Sequence, residues 1–105
     1  MQSPVQTKSE LIERILAGQQ RIRLYGVERL GIFGSFVRDQ AKENSDVDFF
    51  VEFHQGKKTF DNFMDLADVL EEITGRKIEL ITPQSLNKYI GKYILKEVEF
   101  VPLAA

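Results

Sequence analysis

The chain has 105 residues, 43% of them hydrophobic, including eight Phe and three Tyr, which is enough for one domain with a core of its own. It contains no Cys, which excludes disulfides and thiolate metal sites and makes a reducing cytoplasm its natural setting. With 14 basic and 16 acidic residues the net charge is −2; no basic stripe marks a nucleic-acid binder, no apolar run approaches the roughly 20 residues of a membrane span, and MQSPVQTKSE lacks the pattern of a signal peptide.

The first six residues read as loosely attached. Thr7 and Glu10 have the spacing of a capping box, and Leu11, Ile15, Gly18 and Ile22 then form one helical stripe that Gly26 stops. Val27 to Phe33 reads as a short buried strand. Gly34-Ser35 breaks it and starts a brief helix, Phe36 to about Gln40, and Asn44-Ser45 turns into a second strand, Asp46 to Phe53. Thr59 caps a third helix, Phe60 to Thr74, whose inner face is Phe63, Leu66, Ala67, Leu70 and Ile73 and which Gly75 ends. A third strand spans Lys77 to Ile81. Thr82-Pro83 opens a fourth helix reaching about Ile94, with Leu86, Tyr89, Ile90, Tyr93 and Ile94 on its apolar face, and Glu97 to Leu103 is a short strand or extended tail. Strands alternating with helices predict an α/β or α+β fold, a small mixed sheet backed by helices.

The chemistry gathers between Gly31 and Phe53. Side chains alternate along a strand, so Asp46 and Asp48 share a face while Val47, Phe49, Val51 and Phe53 make an apolar stripe on the other. Two carboxylates about 5 Å apart repel by roughly 3 kcal/mol at an effective dielectric near 20. A cation offsets that cost, and Mg²⁺ suits an all-oxygen site that also takes phosphate oxygens. The plainer alternative is that Asp46 caps a turn and Asp48 is solvated. Gly34 permits a sharp turn and close approach of a ligand, and a helix start would point free N–H groups at a phosphate. Glu79 lies between Ile78 and Leu80, opposite to the core-facing side. It completes an acidic triad if its strand neighbours the second, and is an ordinary edge residue if not. His54 reads as surface. Phe60, Phe63 and Met64 read as core or, alternatively, as a protein-binding face.

Gly34-Ser35, ten further residues, then Asp46-Val47-Asp48 resembles the signature of the nucleotidyltransferase superfamily, whose fold is that of DNA polymerase β. Arg38, Ser45-Asp46 and Val51 also fit that signature, and the short length and the helix with its trailing ILKEVEFV resemble the minimal nucleotidyltransferases, the MntA-type antitoxins paired with HEPN-domain toxins. The resemblance covers about Lys8 to Val101 and implies a single minimal nucleotidyltransferase domain over residues 1–105. It implies that AMP is transferred from ATP, with Mg²⁺, to a tyrosine hydroxyl of a HEPN ribonuclease. Gly34 and Ser35 would hold the triphosphate, Asp46 and Asp48 the metals, and Glu79 would bridge a metal and act as general base. Two departures stand out. Glu79 replaces the Asp many members carry, and Asp39 follows Arg38 where Gly is common. Arg38 either meets a phosphate or pairs with Asp39 or Glu43. An antitoxin of the same fold that neutralises by binding alone is the alternative. Transfer to a small molecule or a nucleic-acid end would need an extra substrate-binding domain for which 105 residues leave no room, unless a partner chain supplies it.

Overall fold

The computed structural model describes residues 2–86 and 90–104. Its elements, in chain order, are α1 (Lys8–Ala17), α2 (Gln19–Arg23), β1 (Val27–Phe33), β2 (Val47–Phe53), α3 (Phe60–Thr74), β3 (Ile78–Ile81), α4 (Ile90–Glu97) and β4 (Glu99–Phe100). The sheet order is β3-β2-β1-β4. β1 runs antiparallel to β2 and to β4, and β2 runs parallel to β3. α3 makes the crossover that a parallel pair requires. This is the expected mixed sheet backed by helices.

Both ends of α3 follow from local chemistry. Thr59 Oγ1 accepts from Asn62 N at the start, and Gly75 takes φ 68 at the end, a left-handed cap that suits glycine. Thr7 caps α1 by accepting from Glu10 N at 3.1 Å, while the Glu10 carboxylate reaches one residue past the expected box and accepts from Gln6 N at 2.8 Å. Gly18 divides the predicted first helix into α1 and α2 without disturbing its stripe: Leu11, Ile15 and Ile22 are all buried.

Alternation in the strands sorts the sheet into two faces. Leu30, Ile32, Val47, Phe49 and Val51 meet Leu11, Ile15, Leu66, Val69 and Leu70 of the α1 and α3 layer. Phe33 and Phe50 lie on the other side with Ile94 of α4, flanked by Ile81, Leu86 and Phe100. Among the described residues no helix is long and apolar enough to cross a membrane.

Four expectations need correction. The segment taken as loose docks: Val5 is fully buried and its N–H donates to Thr74 O at 2.9 Å, because an apolar side chain this close to α1 has a core to join. The brief helix after Gly34 is a run of turns. Gln40 N bonds back to Ser35 O at 2.8 Å and Asp39 takes φ 55, which ends any helical course after one turn. The fourth helix is split. Thr82 and Ser85 cap each other across a 3₁₀ turn at Pro83–Ser85, α4 runs on to Glu97, and the predicted face at Tyr89 and the side chain of Ile90 lie outside the described residues. Tyr93, placed on the apolar face, is 76% exposed. Finally, the stretch expected as a short strand or extended tail starts inside α4, with a strand at Glu99–Phe100 only.

Candidate active site

Register brings the acids together. Asp48 of β2 is the direct partner of Glu79 in the parallel ladder, and on its other side it opposes Phe33 at the end of β1. The residue after Phe33 is Gly34, which therefore turns directly over the Asp48 carboxylate. At Gly34 φ is 75, and a Cβ there would stand 2.1 Å from Asp48 Oδ2. Asp46 lies just before β2, whose first residue Val47 donates to Lys77 O at 3.0 Å. The β-ladder thus puts Asp48, Glu79 and Gly34 in one place, with Asp46 at the mouth.

Asp48 is half-buried, Asp46 and Glu79 are exposed. The Asp48 carboxyl is pushed up from an ordinary 3.8 to about 6, first by burial, then by the charge of Glu79 and a hydrogen bond with it, then by Asp46 and Glu97. That is the electrostatic signature of carboxylates gathered without a counter-charge. Yet among the described residues no three acids converge closely enough to hold an ion as they stand. The two observations are compatible. Asp48 and Glu79 already meet, and the exposed side chain of Asp46 is free to turn toward them when a cation arrives. The donor set, all carboxylate oxygen, fits a hard divalent ion such as Mg²⁺. The acids stand on an open edge. A hollow of about 420 Å³ lined by Ala41, Lys42, Glu43 and Arg76 lies behind the Asp46 loop rather than at the carboxylates.

Sequence reasoning did not single out Glu97. It ends α4, its Oε2 accepts from Gly34 N at 3.3 Å, and its Oε1 pairs with Arg38. Arg38 thus engages neither Asp39 nor Glu43 but Glu97, with a further contact from its Nε to Gln40 Oε1 at 3.3 Å. A carboxylate held by a backbone N–H and a guanidinium occupies what an anionic ligand would use. No local signal could reveal this, since 63 residues separate Gly34 from Glu97. Asp39 also acquires a reason: it tolerates the left-handed turn better than most residues, and its Oδ1 accepts from Lys8 N at 3.1 Å, tying the turn to α1.

A glycine-bearing turn set over an acidic pair on neighbouring strands defines a class. Residues 12–101 match the family described as the nucleotidyltransferase domain, and the chain belongs to that family of enzymes. Among its relatives, it is 40% identical over 94 residues to the protein adenylyltransferase MntA of Thermococcus cleftensis, covering 88% of this chain and 94% of that one. A solved structure described as a minimal nucleotidyltransferase superposes with a TM-score of 0.77 at 28% identity, covering 92% of this chain and 96% of the other. Two more distant structures share the fold. One is a toxin–antitoxin complex with AMP-PNP (TM-score 0.65, 15% identity, 92% and 73% covered). The other is a tri-AMPylated HEPN toxin of Shewanella oneidensis with its MNT antitoxin (TM-score 0.64, 12% identity, 93% and 74% covered).

Proposed function

We propose that the protein is a Mg²⁺-dependent protein adenylyltransferase that transfers AMP from ATP to a tyrosine hydroxyl of a HEPN ribonuclease toxin, and is thereby that toxin's antitoxin. One observation carries the reading: the Asp48–Glu79 pair on adjacent parallel strands, with Gly34 turned directly over it. The nucleotide and the partner are taken from the relatives, one an adenylyltransferase and one seen with an AMPylated HEPN toxin. A cytoplasmic location belongs to the same proposal, supported by the Cys-free composition and by ATP as the substrate.

Gly34 and Ser35 hold the triphosphate, Arg38 meets a phosphate, and Asp46, Asp48 and Glu79 hold the ion. Bound there, Mg²⁺ would neutralise the carboxylates and polarise the phosphoryl oxygens. The remaining work is positioning. The tyrosine oxygen bonds to the α-phosphorus as the bond from that phosphorus to pyrophosphate breaks, and the hydroxyl proton passes to the Glu79 carboxylate. Asp48, at about 6, is ionised at neutral pH and available to a cation. Glu97 must leave Gly34 and Arg38 before a phosphate can take its place.

The test is to incubate the protein with ATP, Mg²⁺ and the HEPN protein and weigh the products. The expected result is one or more adenylyl groups on the HEPN chain, lost when its tyrosine becomes Phe. An unmodified partner after incubation with wild type rejects the transfer. A second reading, neutralisation by contact alone, is favoured because no three acids among the described residues stand close enough to hold an ion and because Glu97 sits on the cradle. It predicts that Asp48→Asn still silences the ribonuclease.

A further inference from the structure

We propose that Arg76 is a positioning residue for the cation-binding end of the site: its guanidinium fixes the loop that presents Asp46. The proposal rests on the reading of Asp46 as an ion-binding carboxylate.

The loop from Ala41 to Asp46 has neither helix nor strand to hold it. Its internal bonds are a turn closed by Ser45 N to Lys42 O at 3.1 Å and Lys42 N to Ser45 Oγ at 2.8 Å. Ala41 packs against the core, and among the described residues the loop's other hydrogen bonds come from Arg76. Its Nη1 lies within 3.1 Å of Lys42 O and 2.9 Å of both Glu43 O and Ser45 O. The last of these is the carbonyl directly before Asp46, so the peptide plane that launches the carboxylate is held by the guanidinium. Nε donates to Val5 O at 2.6 Å, and the guanidinium carbon stands 5.1 Å from the centre of the buried Phe36 ring, which belongs to the Gly34 turn. One planar fork therefore ties together the Asp46 loop, the Gly34 turn and the N-terminal segment.

Sequence and geometry explain why Arg76 is there. Gly75 turns left-handed at the end of α3, and Arg76 leaves the helix axis just before β3 begins. A Cβ at Gly75 would meet Gln2 O at 2.3 Å, so the N-terminal segment, whose Val5 carbonyl accepts from Arg76 Nε, can pass this close to the end of α3 only over a glycine. Arginine suits the task because its donors are fixed in one plane and its charge is permanent, whereas an ammonium offers a point charge on a flexible stem. Groups that orient metal-binding residues from behind commonly govern metal affinity by about 10–100-fold.

The experiment titrates Mn²⁺ calorimetrically into the full chain in the presence of AMP-PNP, for wild type, Arg76→Met, Arg76→Lys and Val5→Ala. Val5→Ala removes buried side-chain volume but keeps the carbonyl that accepts from Arg76 Nε, so it reports on general stability. Mn²⁺ affinity is expected to fall about 10–100-fold in Arg76→Met, to recover partly in Arg76→Lys and to be unchanged in Val5→Ala, with metal-free AMP-PNP binding alike in all. Unchanged Mn²⁺ affinity in a folded Arg76→Met overturns the proposal. So does an equal loss in Val5→Ala, which reduces Arg76 to general stability. If Arg76→Met does not fold, Arg76→Lys decides: an intermediate affinity supports the role, and a wild-type affinity overturns it. A wild type that binds Mn²⁺ but transfers no AMP overturns the transfer reading and leaves this one standing, while a wild type that binds no Mn²⁺ overturns both.

Discussion

On the side covered by α1 and α3, Leu30, Ile32, Phe49 and Val51 are shut away completely, and the layer extends from Val5 to Val101. On the side covered by α4, Phe33, Phe50 and Ile94 are buried, but two residues along from Phe50 the cover ends and Asp48 meets Glu79 at the open edge. The same strand, β2, serves both faces. Its odd-numbered residues secure the fold, and that security allows its even-numbered end to carry repelling charge. Stability resides on one surface of the sheet and the candidate site at the margin of the other.

Substitutions on the two faces of β2 separate these roles. Phe49→Ala should cost about 3–5 kcal/mol of stability, read from denaturant unfolding, with transfer falling only as the folded fraction falls. Asp48→Asn should do the reverse: transfer drops by roughly 10²–10³-fold while the metal-free protein keeps or gains stability, because a repelling charge is gone. If Asp48→Asn unfolds the chain, the division between faces is wrong. Gly34→Ala bridges the two regions. It should cost about 1–2 kcal/mol for the left-handed backbone, and nucleotide binding should suffer more than stability does, since the new methyl meets the Asp48 carboxylate.

The pH dependence sharpens the contrast further. Asp48 has a folded-state pKa of about 6 against an ordinary 3.8, so the folded protein holds the proton more tightly than the unfolded chain. The stability this gives is present in full below about pH 4 and disappears as pH rises through about 6. Melting curves in EDTA should therefore decline over that window in wild type relative to Asp48→Asn, and added Mg²⁺ should raise the melting temperature more above pH 6 than at pH 4. Parallel curves for the two proteins would remove Asp48 as the cause. The smallest expected effect concerns Glu97→Gln. Freeing Gly34 N–H and Arg38 should tighten AMP-PNP binding about two- to fivefold, the worth of a partly exposed ion pair. Weaker binding in that variant would make Glu97 a support of the cradle instead of its occupant.

Much of this was legible in the sequence because it is local. The span of β1, the Thr59 cap, the Gly75 stop and the facing of Val47, Phe49 and Val51 need only periodicity and backbone preference, and the structure reproduces them. The adjacency of Asp48 and Glu79 needed one further assumption, that their strands are neighbours, and the ladder supplies it. What could not be read depends on distant pairing. Val5 gains its burial from α3, Glu97 reaches Gly34 across the sheet end, and Arg76 takes its acceptors from a loop more than 30 residues earlier. The turn after Gly34 carries no sequence mark that tells it from a helix, because Phe36 to Gln40 contains no breaker. Its course is set by the anchoring of Phe36 in the core and of Asp39 on α1.

The ladder joining β2 to β3 also limits how the protein can change. Because successive side chains point to opposite sides, sliding β3 by a single position would replace Glu79 with an aliphatic neighbour and push Ile78 and Leu80 into water at the same stroke. A slip of register in this segment would therefore cost folding and activity together, whereas replacing the exposed Glu79 side chain alone leaves the ladder in place.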